Sequence, residues 1–480
     1  MSTSQQLAKN VIWKYLELFS VSGIQMLCTF VMARFLQPSD FGILGIILIF
    51  SAFAEVFIYS GFGQAIIREK NVTRTDYSTI LYFNIAVSLV FYMLLFFSSG
   101  LIANIYNQPI LKDICKVAYF VLLIHALSLV QMTKLQKELK FKKIFLISFV
   151  ASLLSAVVAI YFAYMYKSVW ALVLQIIIAA TIRCLILWVT TDFIPEFKFS
   201  MESFYKYFKF SKNILLSGFI GTLFNNIYSL IIGRAYSTTE LGFYSQAKKV
   251  SDLGSQTTTQ VVQSVTYPIL ARINNEGGDI INGYKKIISV TLVIVGFVMS
   301  LILACAQDLF ELCMGNYIWR TAGTYLLLIG MNGILYPLHS INQNILLVKG
   351  ESKNILKLEI IRRCIMVSIL VVTINCDIEF FVFGLSLYSF ILLFLNLYYC
   401  GKPINYSVWE QLNDTIPIFI RLIIMIVLGR LVAHLLPNTH IIVRIILSCT
   451  ICLTSGLLMF WKLQSFKDII RLLKSIIKHN

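Results

Sequence analysis

Long apolar stretches alternate along the chain with short polar connections. A helix needs about 20 residues to cross some 30 Å of hydrocarbon, and most of these stretches are that long. The pattern predicts an all-α integral membrane protein with about 14 transmembrane helices. The predicted spans are residues 12–36, 41–66, 78–103, 113–133, 144–165, 169–191, 213–234, 241–271, 286–306, 322–348, 354–374, 379–400, 416–436 and 440–461.

One sequence motif at the connection between two spans, here called the corner, occurs twice in the chain. "RFLQPSDFGILG" (34–45) joins the first two spans, and "RAYSTTELGFYS" (234–245) joins the seventh and eighth. Because six spans separate the two copies, they share one orientation in the membrane. The sequence therefore predicts two six-helix bundles related by a parallel pseudo-twofold repeat, followed by two C-terminal helices.

The repeat sets the predicted domain boundaries. We expect an N-terminal bundle (1–191), a cytoplasmic interfacial linker helix (192–212), a C-terminal bundle (213–400), two extra transmembrane helices (401–461) and a basic amphipathic cytoplasmic tail (462–480).

Composition and charge agree with a membrane protein. Hydrophobic residues make up 58% of the chain and charged residues 13%, about half the share found in soluble domains. Lysines are concentrated in alternate connections such as 134–143, and the positive-inside rule places these in the cytoplasm. We therefore expect a multi-pass protein of the bacterial cytoplasmic (inner) membrane with both termini cytoplasmic. The lysines that set the orientation in the membrane account for most of the net charge of +17, so this charge does not indicate a nucleic-acid partner.

Polar side chains recur at matched positions of the first and seventh spans. Ser22 and Gln25 lie on one helical face, and Thr222 and Asn225 occupy the corresponding face of the seventh span. Two interpretations remain open: the faces line one central cavity, or they hydrogen-bond neighbouring helices.

The eighth span carries the most polar stripe. Its candidate substrate-binding residues are Lys248, Lys249, Asp252, Gln256 and Thr259. Charges inside a membrane are costly unless they face water or a partner, so we expect an aqueous lumen here. The alternative is that this span begins late and its first turns lie outside the membrane. Glu55 is expected near the same stripe, unless it is the structural partner of a nearby cation.

Four further residues are lumen candidates. Arg34 and Arg234 close the first and seventh spans, where arginines also snorkel to headgroups. In the tenth span, Pro337 is followed by His339 and Asn342. Their side chains can hydrogen-bond sugar hydroxyls or join helices, and the sequence does not decide between these roles.

The sequence shows no signature of catalysis or of a bound cofactor. It lacks a Cys-x-x-Cys pair, a zinc-binding His-Glu-x-x-His motif, a nucleophile elbow and a phosphate-binding loop. We therefore expect no catalytic residues, no metal and no cofactor.

Several long segments resemble a known family. "SGIQMLCTFVMARFLQPSDFGILGI" (22–46), the stretch 135–175 and "LLVKGESKNILKLEIIRR" (346–363) are similar to bacterial polysaccharide exporters of the Wzx type. These belong to the multidrug/oligosaccharidyl-lipid/polysaccharide (MOP) superfamily, and the resemblance is closest to colanic-acid-type exporters. It covers residues 8–400 and implies a MATE-like fold.

The resemblance also implies a function. Such a protein flips undecaprenyl-diphosphate-linked oligosaccharide repeat units from the inner to the outer leaflet by alternating access, for lipopolysaccharide, O-antigen or capsule export. Its partners are that lipid-linked oligosaccharide and the bilayer. Candidate further partners are a coupling ion (H+ or Na+) and the polysaccharide polymerase or export machinery.

The alternative is a cation-coupled multidrug or metabolite antiporter of the same superfamily, for which Glu55 and Asp252 offer an acidic site. A membrane glycosyltransferase or polymerase is the other rival, but the short outer connections disfavour it.

Overall fold

A computed structural model of the chain describes residues 3–59, 61–461, 463 and 466, and these residues form helices and no β-strand. The chain divides into two compact units, Met1–Ser245 and Gln246–Asn480. This division falls inside a helix, so it does not coincide with the linker at 192–212. The predicted domain boundaries therefore remain a prediction.

Nine helices and the start of a tenth form the first unit. They are α1 (Thr3–Met32), α2 (Pro38–Tyr59), α3 (Phe62–Arg68), α4 (Arg74–Ile105), α5 (Leu111–Ala118), α6 (Val121–Lys137), α7 (Phe141–Tyr166), α8 (Trp170–Thr190), α9 (Met201–Ile231), a π-helical segment (Ile232–Tyr236) and α10 (Thr238–Asp252).

The second unit begins within α10. It continues through a π-helical segment (Leu253–Thr257), α11 (Thr258–Asn275), α12 (Ile280–Ala304), α13 (Ala306–Met314), α14 (Arg320–Val348), α15 (Ser352–Thr373), α16 (Ile378–Gly401), α17 (Val408–Leu435) and α18 (Ile441–Phe460).

Membrane spans account for most of the described helices. Eleven segments in the described part of the chain are long and apolar enough to cross a membrane, which makes this a multi-pass membrane protein. The other three predicted spans, 241–271, 322–348 and 354–374, are also helical over most of their length. Polar or charged side chains interrupt each of them, so their crossing of the membrane remains a prediction.

The repeated corner has a structural reason within the first unit. A Cβ atom on Gly42 would overlap the backbone carbonyl of Thr238, and a Cβ on Gly242 would overlap the carbonyl of Pro38. The N-terminal turns of α2 and α10 thus touch backbone to backbone through one reciprocal pair of contacts. Such reciprocity is the mark of a twofold relation, here between two copies within one chain. Each copy supplies the glycine that the other requires.

The linker differs from its prediction. Residues 192–200 are not helical, so the predicted helix over 192–212 is wrong in its first part, and α9 runs from Met201 directly into the seventh span. Pro195 has no amide hydrogen to continue a helix. The backbone amide of Glu196 donates instead to Ser78 Oγ (2.9 Å), and that of Ser200 donates to Thr79 Oγ1 (3.0 Å). We call residues 192–200 the strap.

The ends of the strap are fixed by packing and capping. Phe193 is buried in a cluster with Phe62 and Tyr77, and Ser200 Oγ accepts a hydrogen bond from the Ser203 amide to cap α9. The predicted interfacial position of this region remains a prediction. The predicted tail, 462–480, lies outside the described residues except for Leu463 and Phe466.

Candidate functional site

A cavity of about 540 Å³ lies within the first unit. Its walls come from α2, α3, α6, α8 and α9. The volume is in the range of small-molecule binding sites, which span roughly 300 to 1,000 Å³. The cavity is therefore the strongest candidate for a functional site in this unit.

Glycines at the wall bring the helices close together. Gly61 joins α2 to α3 with a φ of +72°, a left-handed conformation that a side chain would strain. A Cβ at Gly61 would also lie 2.9 Å from Ile214 on α9, and one at Gly218 would lie 3.3 Å from Val56 on α2. The sequence thus places α9 against α2 and leaves space beside them.

An acid and a histidine meet in the cavity. Glu55 Oε1 lies 2.9 Å from His125 Nδ1, and both side chains are partly exposed to the cavity. Glu55 lies on α2, and His125 lies on α6, 70 positions later in the sequence. A carboxylate and an imidazole at this distance can share a hydrogen-bonded proton.

Arg183 contributes a positive charge to the cavity. It lies on α8, lines the cavity and makes no hydrogen bond or ion pair with any described residue; its buried Nε is unsatisfied. A half-buried guanidinium without a counter-ion among the described residues is unfavourable, so this position suits an anion or water in the cavity.

The cavity lies toward the lysine-rich end of the unit. Lys143 Nζ donates to the carbonyl of Thr190 at the end of α8, and Lys134 Nζ donates to that of Asp192. Arg183 is seven residues from Thr190, about 10 Å along the helix. The positive-inside rule predicts that this end is cytoplasmic and the cavity nearer the inner leaflet, and this orientation remains a prediction.

Amides and hydroxyls complete the polar wall. Gln64 and Gln136 line the cavity, and their side-chain amides hydrogen-bond to no described residue. Thr133 also lines it, although its hydroxyl donates to the carbonyl of Leu129 on its own helix. The wall thus offers one cation, one acid–histidine pair and neutral hydrogen-bonding groups, a combination suited to a polar anion carrying hydroxyls.

The structure brings together two of the predicted site residues of the first unit. Glu55 and Thr222 line the same cavity. Ser22, Gln25 and Asn225 do not line it, and Gln25 and Asn225 are exposed. Arg34 and Arg234 are exposed at the ends of their spans, away from this cavity.

The polar stripe of the eighth span is interrupted in the second unit. The π-helical segment Leu253–Thr257 changes the helical register between Asp252 and Thr259. Gln256 Nε2 donates to Asp252 Oδ1 at 2.7 Å, so these two side chains satisfy each other. Lys248 is half-buried and electrostatically coupled to Asp252, whereas Lys249 is exposed. The stripe is a set of local pairs, and its exposure to a lumen remains a prediction.

Two predicted lumen residues are completely buried. Thr259 donates to the carbonyl of Ser255 on its own helix, and Asn342 Oδ1 accepts from the hydroxyl of Tyr284 on α12. In this conformation neither side chain faces an open space. Both side chains pack between helices here, and their contact with a lumen remains a prediction. Sequence spacing alone does not distinguish an inward face from a face that meets another helix.

His339 belongs to a hydrogen-bonded chain across three helices. Its Nε2 lies 2.8 Å from Ser389 Oγ and its Nδ1 lies 2.7 Å from Asn396 Nδ2, both on α16. Arg362 on α15 donates to Asn396 Oδ1. This arrangement matches the helix-joining interpretation that the sequence left open for His339.

Sequence reasoning missed three of these groups. Arg183 and Arg362 are charges inside predicted spans, and that rarity was a usable signal. His125 is likewise an ionisable residue inside a predicted span, but its pairing with Glu55 arises only from the packing of α6 against α2.

Solved structures resemble the fold. The lipid II flippase MurJ in an inward-closed conformation has a TM-score of 0.71 at 13% identity, with 94% of this chain and 99% of that chain covered. An inward-facing multidrug resistance MATE family transporter of the MOP superfamily has a TM-score of 0.61 at 14% identity, covering 83% and 99%. The predicted MATE-like, all-α membrane fold is confirmed.

Sequence relatives are named for polysaccharide biosynthesis. The chain is 24% identical to the teichuronic acid biosynthesis protein TuaB of Bacillus subtilis (strain 168), covering 73% of each chain. It is 22% identical to the lipopolysaccharide biosynthesis protein WzxC of Escherichia coli (strain K12), covering 61% of this chain and 60% of that one. Residues 31–322, more than half of the chain, match the profile of one protein family. The chain therefore belongs to the polysaccharide biosynthesis protein family.

Proposed function

We propose that this protein flips oligosaccharide repeat units, linked to undecaprenyl diphosphate, from the inner to the outer leaflet of the bacterial cytoplasmic membrane. Family membership and the names of the relatives support polysaccharide biosynthesis. The fold shared with a lipid II flippase supports a lipid-linked cargo. In this proposal the chain performs transport without covalent chemistry, and both termini are cytoplasmic.

The observation that carries the proposal is the unpartnered Arg183 in the cavity of the first unit. A diphosphate must leave water to cross the hydrocarbon layer, and an isolated charge in that layer is strongly disfavoured. The guanidinium of Arg183 offsets part of this penalty with charge-assisted hydrogen bonds to phosphate oxygens. The diphosphate in turn supplies the partner that Arg183 lacks.

The neutral polar groups suit the sugars. Gln64 and Gln136 present amide donors and acceptors that replace water around hydroxyl groups. The cavity is too small for a whole repeat unit with its lipid, so the polyprenyl chain stays in the bilayer. Glu55 and His125 are placed to take up or release a coupling proton as the cargo binds.

Replacing Arg183 tests the proposal in cells. We would express wild type, Arg183→Gln, Arg183→Lys and Arg74→Gln at matched membrane levels in a source strain from which this protein has been deleted. Arg74 is exposed at the start of α4, outside the cavity, and is the matched arginine control. Loss of a charge-assisted hydrogen bond costs about 1.5–3 kcal/mol, so Arg183→Gln should lower surface polymer by about tenfold or more.

The lipid-linked intermediate distinguishes transport from synthesis. With Arg183→Gln, lipid-linked oligosaccharide should accumulate in the inner leaflet, whereas Arg183→Lys retains part of the activity and Arg74→Gln retains all of it. Full polymer with Arg183→Gln would remove the cavity from the transport path. Failure of wild type to restore polymer would contradict the proposed function itself.

The Glu55–His125 pair also favours one specific alternative, a cation-coupled multidrug or metabolite antiporter. Such a transporter needs an acidic group that exchanges a proton against its substrate. If the alternative holds, wild type raises the resistance of a drug-sensitive strain, and Glu55→Gln abolishes that increase. A flippase gives no Glu55-dependent resistance in the same panel.

A further inference from the structure

A second polar cavity, of about 200 Å³, lies in the second unit. It is formed by the end of α12, α13, the start of α14, the end of α17 and α18. These helix ends are opposite the lysines of the same unit. Helix α12 carries Lys285 near its start and ends at the cavity, while α14 begins at the cavity and ends just before Lys349. The positive-inside rule therefore places this cavity at the outer end.

Two arginines in this cavity are already paired. Asp308 has only 2% of its side chain exposed; it accepts a hydrogen bond from Arg320 at 2.8 Å and forms an ion pair with Arg444 at 3.0 Å. Arg320 also pairs with Glu311 at 2.8 Å. Two carboxylates therefore balance two guanidiniums. Arg444 keeps one unused donor, because its buried Nε has no hydrogen-bond partner.

Arg430 adds a third guanidinium, which has no carboxylate of its own among the described residues. It lies on α17, is half-buried, lines the cavity and makes no hydrogen bond or ion pair with the residues that the structure describes. Arg320 and Asp308 are both close enough to act on the charge of Arg430, Arg320 by repulsion and Asp308 by attraction. The three arginines and two acids thus leave one net positive charge in a partly desolvated space, a state that a bound anion would relieve.

We propose that this cavity is a binding site for a phosphate-class anion, with Arg430 as its main ligand and Arg444 Nε as a second donor. Arginine forks match the oxygens of a phosphate group and bind them through paired hydrogen bonds. A liquid water molecule occupies about 30 Å³, so the cavity has room for one phosphate group but not for an oligosaccharide. The phosphate group comes either from a free anion or from a phospholipid headgroup. The inference does not depend on the proposed function.

Purified wild type, Arg430→Gln, Arg430→Lys and Arg421→Gln test the site. Arg421 lies on the same helix outside the cavity, bonded to the carbonyl of Pro417, and is the matched control. In one arm, thermal unfolding in detergent is followed while inorganic phosphate is titrated against sodium chloride of equal ionic strength. In the other arm, the proteins are unfolded in vesicles of phosphatidylcholine with and without phosphatidylglycerol.

A ligand that binds the folded state raises the Tm in a concentration-dependent way. We expect this rise for wild type and Arg421→Gln, with the fitted Kd weakened about tenfold or more in Arg430→Gln. Arg430→Lys keeps the charge and should retain most of the response, which separates loss of the ligand from loss of folding.

An Arg430-dependent rise with inorganic phosphate identifies a free anion, and one confined to phosphatidylglycerol vesicles identifies a headgroup. Equal responses of wild type and Arg430→Gln in both arms would overturn the proposal, as would no response of wild type in either arm.

Discussion

Single residues in this protein acquire their roles from neighbours that are distant in sequence. The sequence pointed to Glu55 as a candidate, but its contact with His125 depends on α6 packing against α2. Asn342 shows the reverse case, since a polar residue in a predicted lumen pattern is fully buried against Tyr284. Helical spacing gives the face on which a residue lies. It does not say which partner meets that face, so the site could be predicted only in part.

The glycine contact at the repeated corner gives a residue-scale prediction. Gly42→Ala places a Cβ against the Thr238 carbonyl, which cannot move without displacing the start of α10, and overpacking of this kind typically costs about 1–3 kcal/mol. Thermal unfolding of the purified protein should show a clearly lowered Tm. Gly45→Ala is the matched control, because its Cβ would lie an ordinary 3.5 Å from the side chain of Leu241. Equal Tm values for the two variants would show that the corner does not need close backbone contact.

At the scale of elements, the length of the apolar stretches predicted the membrane spans well, whereas the polar residues did not predict the irregular segments. Eleven described segments qualify as membrane spans, and all of them coincide with predicted spans. The strap and the two π-helical segments were not predicted. The strap's amides hydrogen-bond side chains of α4, and π-helical turns leave little trace in hydrophobic periodicity. Such features depend on contacts between elements, which one sequence pattern does not contain.

The attachment of the start of α9, which follows the strap, to α4 gives an element-scale prediction. Asp76 is buried at the start of α4; its Oδ1 accepts from the Ser203 hydroxyl at 2.6 Å and its Oδ2 from the Thr73 amide at 2.9 Å. Asp76→Ala leaves both donors without this acceptor, at a cost of about 1–3 kcal/mol. The strap and the start of α9 should then open more often, so trypsin should cleave after the exposed Lys198 several-fold faster than in wild type.

A surface variant controls for general destabilisation. Asp113→Ala removes a carboxylate that is 75% exposed and pairs only with Lys116 in the described part of the chain, so cleavage after Lys198 should stay at the wild-type rate. Unchanged cleavage in Asp76→Ala would mean that the strap is held without this carboxylate.

The whole molecule combines a shared fold with an individual set of polar groups. The fold is similar both to a lipid II flippase and to a multidrug transporter, so fold alone does not decide the cargo. The repeat and the span pattern were readable from the sequence because they depend on periodicity and length. The cargo depends on the polar groups inside the cavities. The decisive question is whether the guanidinium of Arg183 binds a diphosphate.

The most direct test is flipping by the purified protein. Lipid-linked oligosaccharide would be extracted from a source strain lacking this protein and reconstituted with wild type or Arg183→Gln into sealed vesicles. Exposure of the sugar to an added, membrane-impermeant sugar-oxidising reagent would then be followed with time. We expect wild type to render the inner-leaflet pool reactive, and Arg183→Gln to do so at least about tenfold more slowly. An inner-leaflet pool that stays protected with wild type, as it does in protein-free vesicles, would show that this protein does not flip the lipid-linked oligosaccharide.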